Sequence, residues 1–247
     1  MFQIRDEWKM NSVKFFTAEE IKQLRQPVIL PSKGPRGWSK SQVEPVEVLK
    51  AFSALRLKKG FVLRAYQFRE GGNGNAVVWA MPEESPFPSP KCCPKLKDTF
   101  LEPPRPPLAL DDLMEVIEGN GSHWSYLSAS IFVREMSEFG ALWHGCSWST
   151  HEIIDKALSD YFNQTQGDSE ENIPPPKVDE WTWLEEKPKE WQPSVCKNND
   201  KIIVTFYSFS GLGTEAIYRH VDTFQAGKYS FKTKKVTIAE GGGGYVF

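Results

Sequence analysis

The chain has 247 residues, 40% of them hydrophobic and 25% charged, with a formal net charge of -2. That balance can bury a core without disulfide staples, and it offers no bulk electrostatic footprint for nucleic acid. No apolar run approaches the roughly 18 residues that a membrane span needs, and the start, MFQIRDEWKM, lacks the apolar h-region of a secretory signal.

Thr17-Ala-Glu-Glu20 is a capping-box pattern and predicts a short helix that stops before Pro27. Residues 31–45 are loop-like. Pro45 suits a first helical turn, and Val48, Leu49, Phe52 and Leu55 repeat on one face, which predicts a helix closed by Gly60. A hairpin follows: Phe61 to Phe68, a Gly71–Asn75 turn, and Ala76 to Met81. Residues 82–107 hold nine prolines and read as an extended connector on the surface.

Leu110, Leu113, Met114 and Ile117 predict a short helix ended by Gly119. Trp124, Leu127 and Ile131 predict a second that runs to about Gly140. Ser149-Thr-His-Glu152 repeats the capping-box pattern, with Ile153, Ile154, Ala157, Leu158, Tyr161 and Phe162 behind it as the apolar face of a further helix. Residues 163–200 are polar, acidic and broken by proline, and carry Trp181, Trp183 and Trp191, whose rings either dock on a basic partner or tuck back onto the domain from a surface excursion. Ile202 to Phe209, a Gly211–Gly213 turn and Ala216 to Phe224 return to strand, with short strands continuing at Tyr229–Phe231 and Val236–Ile238.

These elements predict one α+β domain over 1–247. Its antiparallel sheet is formed by the N-terminal and C-terminal hairpins, because neither pair is stable alone, with helices packed on one face. The connector 82–107 and the Trp-containing excursion 163–200 interrupt it.

The densest chemistry lies in Trp143-His-Gly-Cys-Ser-Trp-Ser-Thr-His151, which places His144, Cys146, Ser149, Thr150 and His151 within eight positions. A helix beginning at Ser149 would present free N–H groups and partial positive charge. Such an end acidifies a nearby thiol, so Cys146 with His144 or His151 could form a nucleophile pair, and Ser149 and Thr150 could hold an anion. The competing reading makes Cys146 a small apolar residue and Ser149 only a cap.

Cys92, Cys93, His144 and Cys146 do not follow the paired spacing of structural zinc, so no metal is expected. The irregular cysteine spacing suits reduced thiols in the cytoplasm. Gly71-Gly-Asn-Gly-Asn75 lacks the Lys-Ser or Lys-Thr of a phosphate loop. Residues 56–69 mix basic and aromatic side chains, which raises RNA binding, although they do not follow the RNP1 order.

No catalytic signature stands out and no cofactor is expected. The reading is a non-enzymatic protein-binding or accessory protein whose partner is another protein, docked on Trp181, Trp183 and Trp191. A Cys/His-dependent enzyme centred on Cys146 is the alternative, and an RNA-binding module the third.

Overall fold

The computed structural model describes residues 12–25, 34–97, 101–157 and 181–246. Strand β1 (Ser12–Phe15) leads into helix α1 (Ala18–Lys22), whose capping box forms as predicted. The Glu20 amide donates to Thr17 Oγ1 at 3.1 Å and the Thr17 amide to Glu20 Oε2 at 2.7 Å. Strand β2 (Gly37–Lys40) and helix α2 (Pro45–Leu49) follow. Val48, Leu49 and Phe52 are buried as their spacing predicts, but α2 is short, and Leu55 belongs to strand β3 (Leu55–Leu57).

The hairpin is longer than expected. Strands β4 (Phe61–Glu70) and β5 (Asn73–Pro82) pair along their full length, and the turn contracts to Gly71–Gly72. Both glycines have positive φ, 58° and 91°, the geometry a two-residue hairpin turn demands. The helix expected over 110–119 is instead a 3₁₀ turn at Leu113–Val116 and strand β6 (Ile117–Gly119), which pairs with β3. That ladder joins segments far apart in sequence, which local periodicity does not register.

Helix α3 (His123–Ser137) forms where predicted. The helix expected after Ser149 does not. Trp148–Thr150 is a 3₁₀ turn, and Glu152–Ile154 is strand β7, paired with β10 (Lys201–Ser210). Ile153 joins the main core while Ile154 joins a separate cluster across the sheet. A strand buried on both faces reads as an unbroken apolar run, which a short helix also does; the β-branched pair favours the strand. Leu158, Tyr161 and Phe162 lie outside the described residues.

Strands β8 (Thr182–Trp183), β9 (Ser194–Asn198), β11 (Ala216–Gln225) and β12 (Phe231–Glu240) complete a seven-stranded antiparallel sheet in the order β1-β9-β10-β11-β12-β8, with β7 also on β10. The fold is therefore mixed and strand-dominated. The expectation that the two hairpin regions share one sheet is corrected: β2, β4 and β5 form their own three-stranded sheet. One edge of that hairpin is occupied by β2, and beside the other the Leu142 amide donates to the Gly74 carbonyl at 2.9 Å. The two sheets meet through α3, which packs on both β5 and β9–β10. One apolar cluster accordingly includes Leu63 and Val78 of the smaller sheet, Phe132 of α3, and Val204 and Phe206 of the larger.

The proline-rich segment caps the far side of the smaller sheet. Its carbonyls accept hydrogen bonds from aromatic side chains that are otherwise packed: Tyr66 to Pro88 at 2.8 Å, Trp79 to Pro104 at 3.0 Å, and Trp38 to Leu101 at 3.1 Å. Proline lacks an N–H but keeps its carbonyl, so such a segment can supply acceptors to ring donors without needing a ladder of its own.

Candidate functional site

Alternation along β10 and β11 sorts their side chains onto two faces. The inner face, under α3, carries Val204, Phe206 and Ser208 of β10, and His220, Asp222 and Phe224 of β11. It is apolar beneath the start of α3 and polar beneath its second half, where Trp148 and His151 fold over it.

Asp222 is fully buried and accepts from both terminal nitrogens of Arg134, at 2.6 and 3.0 Å, and from the Ser130 hydroxyl. One helical turn separates Ser130 from Arg134, so α3 aims both at one strand position. The Arg134 guanidinium also lies 5.0 Å from the Phe206 ring centre and 5.7 Å from that of Trp148.

Next to this pair, Ser208 Oγ sits between His151 Nδ1 at 2.7 Å and His220 Nε2 at 2.8 Å. His151 is 3% exposed and His220 2%. Lys235 Nζ lies 3.2 Å from His151 Nε2. An ammonium only donates, which fixes the His151 tautomer: Nε2 accepts from Lys235 and Nδ1–H donates to Ser208. Ser208 Oγ in turn meets His220 Nε2, and His220 Nδ1 has no partner among the described residues. Burial, first, and then the cations Lys235, Arg25 and Arg134 hold His151 down to about 3. Burial, then Arg134, His151 and Lys235, hold His220 down to about 2. Both rings are neutral, and the cluster is a continuous hydrogen-bond series from Lys235 to His220.

Trp148 closes the cluster from above. Its indole N–H donates to Glu135 at 2.7 Å, and Arg25 stacks 4.5 Å from the ring centre while donating to the Trp148 and His151 carbonyls. Burial pushes the Glu135 carboxyl up, opposed by Trp148 and Arg25. Glu138 accepts from three successive amides, those of Ser147 at 2.7 Å, Trp148, and Ser149 at 2.9 Å. Such a run of N–H groups is a nest for an anion, filled here by the chain's own carboxylate. Glu138→Ala is expected to cost about 1–2 kcal/mol, since water replaces only part of the lost bonding. Faster hydrogen exchange at the 147–149 amides, with α3 still protected, checks it.

The predicted site residues separate. Both nitrogens of His151 face Ser208 and Lys235, and His144 is exposed. Cys146 is half-buried, and among the described residues no hydrogen bond joins it to either histidine. No helix begins at Ser149, so the helix end expected beside Cys146 is absent. Thr150 donates to the Ser147 carbonyl at 2.7 Å and meets Ser210 Oγ at 2.9 Å, while Ser149 is exposed. No group of metal-binding side chains forms among the described residues.

Trp181 and Trp191 tuck back onto the domain. Trp181 and Trp191 are 8% and 7% exposed and pack with Ile154, Tyr207, Ile217 and Ile238 on the outer face of the larger sheet. Trp183 is half-buried, edge-on to Trp191 at 6.2 Å. Large rings beside an apolar sheet face gain more from burial than from exposure as anchors. In the 56–69 segment, Arg56 and Arg64 pair with Glu118 and Glu44, and Tyr66 is fully buried.

The Trp181–Trp191 cluster covers only half of the outer face. Register places Val13, Cys196, Ile203, Thr223 and Lys232 in one row across five strands. Phe15, Ser194, Thr205, Val221 and Lys234 form the next. Val13 and Phe15 are 51% and 46% exposed, both lysines are exposed, and Ile203 and Val221 are half-buried and belong to no apolar cluster of the described residues.

The signal for the inner cluster was present in the sequence. Ser208 and Ser210 share parity with Ile202, Val204 and Phe206, and His220 and Asp222 share it with Phe224. Polar residues on the apolar side of an alternating strand mark a buried polar site. The signal for the open face was Ile203 and Val221, apolar on the opposite parity. Compared with models of known families, with curated proteins and with solved structures, the chain finds no match.

Proposed function

We propose that this chain is a non-enzymatic protein-binding or accessory protein, and that it engages its partner through the open half of the outer face. The observation that carries this reading is the two rows just described, an apolar and β-branched sheet surface that no described residue covers. Exposed apolar area of this kind marks interaction sites on soluble proteins. The reading treats residues 1–247 as one α+β unit, supported by the apolar cluster that draws on both sheets, and places it in the cytoplasm, where its cysteines stay reduced. The inner cluster serves in this reading as a structural lock, since Ser208 is fully buried and both histidines are spent on it.

Affinity capture with wild type and with the double variant Val13→Ser, Phe15→Ser tests it. Loss of a bound protein from the variant at an unchanged melting temperature supports the reading, and an identical set of bound proteins removes its basis. The enzyme alternative makes a separate demand, that Cys146 react with iodoacetamide faster than an unstructured thiol. The expected result is a rate no faster than that of a model peptide thiol at neutral pH, measured on a variant retaining only Cys146.

A further inference from the structure

The open half-face has a direction as well as an extent. Its β1 end is apolar, with Val13 and Phe15; its middle is β-branched, with Ile203, Thr205 and Val221. Its β12 end is basic, with Lys232 and Lys234 exposed and no carboxylate paired with either among the described residues. At about 4.8 Å per strand, five strands span about 19 Å, the length of roughly 13 helical residues.

We infer that this face receives an acidic, aliphatic-rich segment of a protein partner, with aliphatic side chains on Val13 and Phe15 and carboxylates on Lys232 and Lys234. The inference rests on the binding reading above and names the partner's chemistry. Charge complementarity decides the sign: cations at one end steer carboxylates there, and the apolar end fixes the orientation. Nucleic acid fits less well. The rows contain a single aromatic ring, Phe15, at their margin, whereas single strands need rings on which successive bases stack. Aliphatic and hydroxyl-bearing strand residues offer no such platform.

Two measurements on the full chain test this. In the first, peptides are selected from a random displayed library on wild type and on Lys232→Glu, Lys234→Glu. Wild type is expected to enrich acidic, aliphatic peptides whose affinity falls about tenfold in the charge-reversed protein and weakens with salt. The reversed protein is expected to enrich basic peptides instead. Enrichment without charge bias, or equal binding to both proteins, overturns the inference, as does binding of oligo-dT to this face in place of peptides. In the second, a photo-crosslinking residue at Thr205 reports the occupant in native lysate. Crosslinks to an acidic segment of another protein, lost in Val13→Ser, Phe15→Ser, support it. Crosslinks to a second copy of the chain, or to residues 158–180 of the same chain, overturn it. Partners that are lost in Val13→Ser, Phe15→Ser but crosslink from Thr205 through no acidic segment leave the binding reading standing and sink this inference, while absence of any bound protein or peptide sinks both.

Discussion

Stability is expected to fall steeply below pH 6.5, with the chain unfolding well before its carboxylates are all protonated. In the unfolded chain His151 and His220 take up protons as the pH drops through about 6.5, the ordinary histidine value. In the folded chain they resist until about 3 and about 2. Between those limits the unfolded state binds more protons, so falling pH favours unfolding. Two protons correspond to a slope of at most about 3 kcal/mol per pH unit. The groups facing the two rings are Arg134 from α3, Lys235 from β12 and Arg25 after α1, all cationic, so a proton added to either imidazole meets repulsion as well as a dry site. Glu135 works the other way: burial raises its carboxyl above the ordinary value, so its protonation in acid costs the fold less and softens the slope at the low end. Urea unfolding from pH 8 to pH 4 measures the effect. His220→Gln keeps an amide near Ser208 and should flatten the slope by up to one proton. A midpoint that does not move between pH 7 and pH 5 would show that the rings titrate normally and that the cluster is open to water.

Asp222→Ala should destabilise the fold by about 3–5 kcal/mol, the usual consequence of stranding one member of a buried ion pair. Asp222 is fully buried and the Arg134 side chain only 13% exposed, so solvent screening gives little relief. After the change Arg134 keeps its bonds to the Ser130 carbonyl and to Thr233, but its charge remains among the Phe206 and Trp148 rings without a counter-ion. Asp222→Asn retains shape and part of the hydrogen bonding, and should lose less. The double variant Arg134→Met, Asp222→Leu removes both charges and is expected to recover most of the loss, because apolar packing often matches a buried pair in stability. Denaturant melts of the four proteins decide it. A single Asp222→Ala variant within about 1 kcal/mol of wild type would place the pair in the class of exposed bridges.

Much of the local structure was legible from residues alone. Thr17 and Glu20 cap α1, the Gly71–Gly72 pair turns the β4–β5 hairpin, and the spacing of Leu127 and Ile131 marks α3; each depends on neighbours within a few positions. What failed was non-local. Glu152–Ile154 carries helix-like spacing, and became a strand because β10, more than forty residues later, offered an unpaired edge beside it. Leu55 left its predicted helix for the same reason, drawn into a ladder with β6. Trp181 and Trp191 carry no mark of burial in their acidic surroundings; only the presence of Tyr207, Ile217 and Ile238 on one sheet face made burial the favourable state. The candidate sites divide similarly. Strand parity announces that Ser208, His220 and Asp222 are buried polar residues, but the company they keep, with His151 from a turn and Arg134 from a helix, exists only after the chain folds. Sequence sets which face each side chain takes along its own element. Which of those faces finds cover, and which stays open, is set by partners brought together across the chain, because burial is a property of the assembled surface and not of any local pattern.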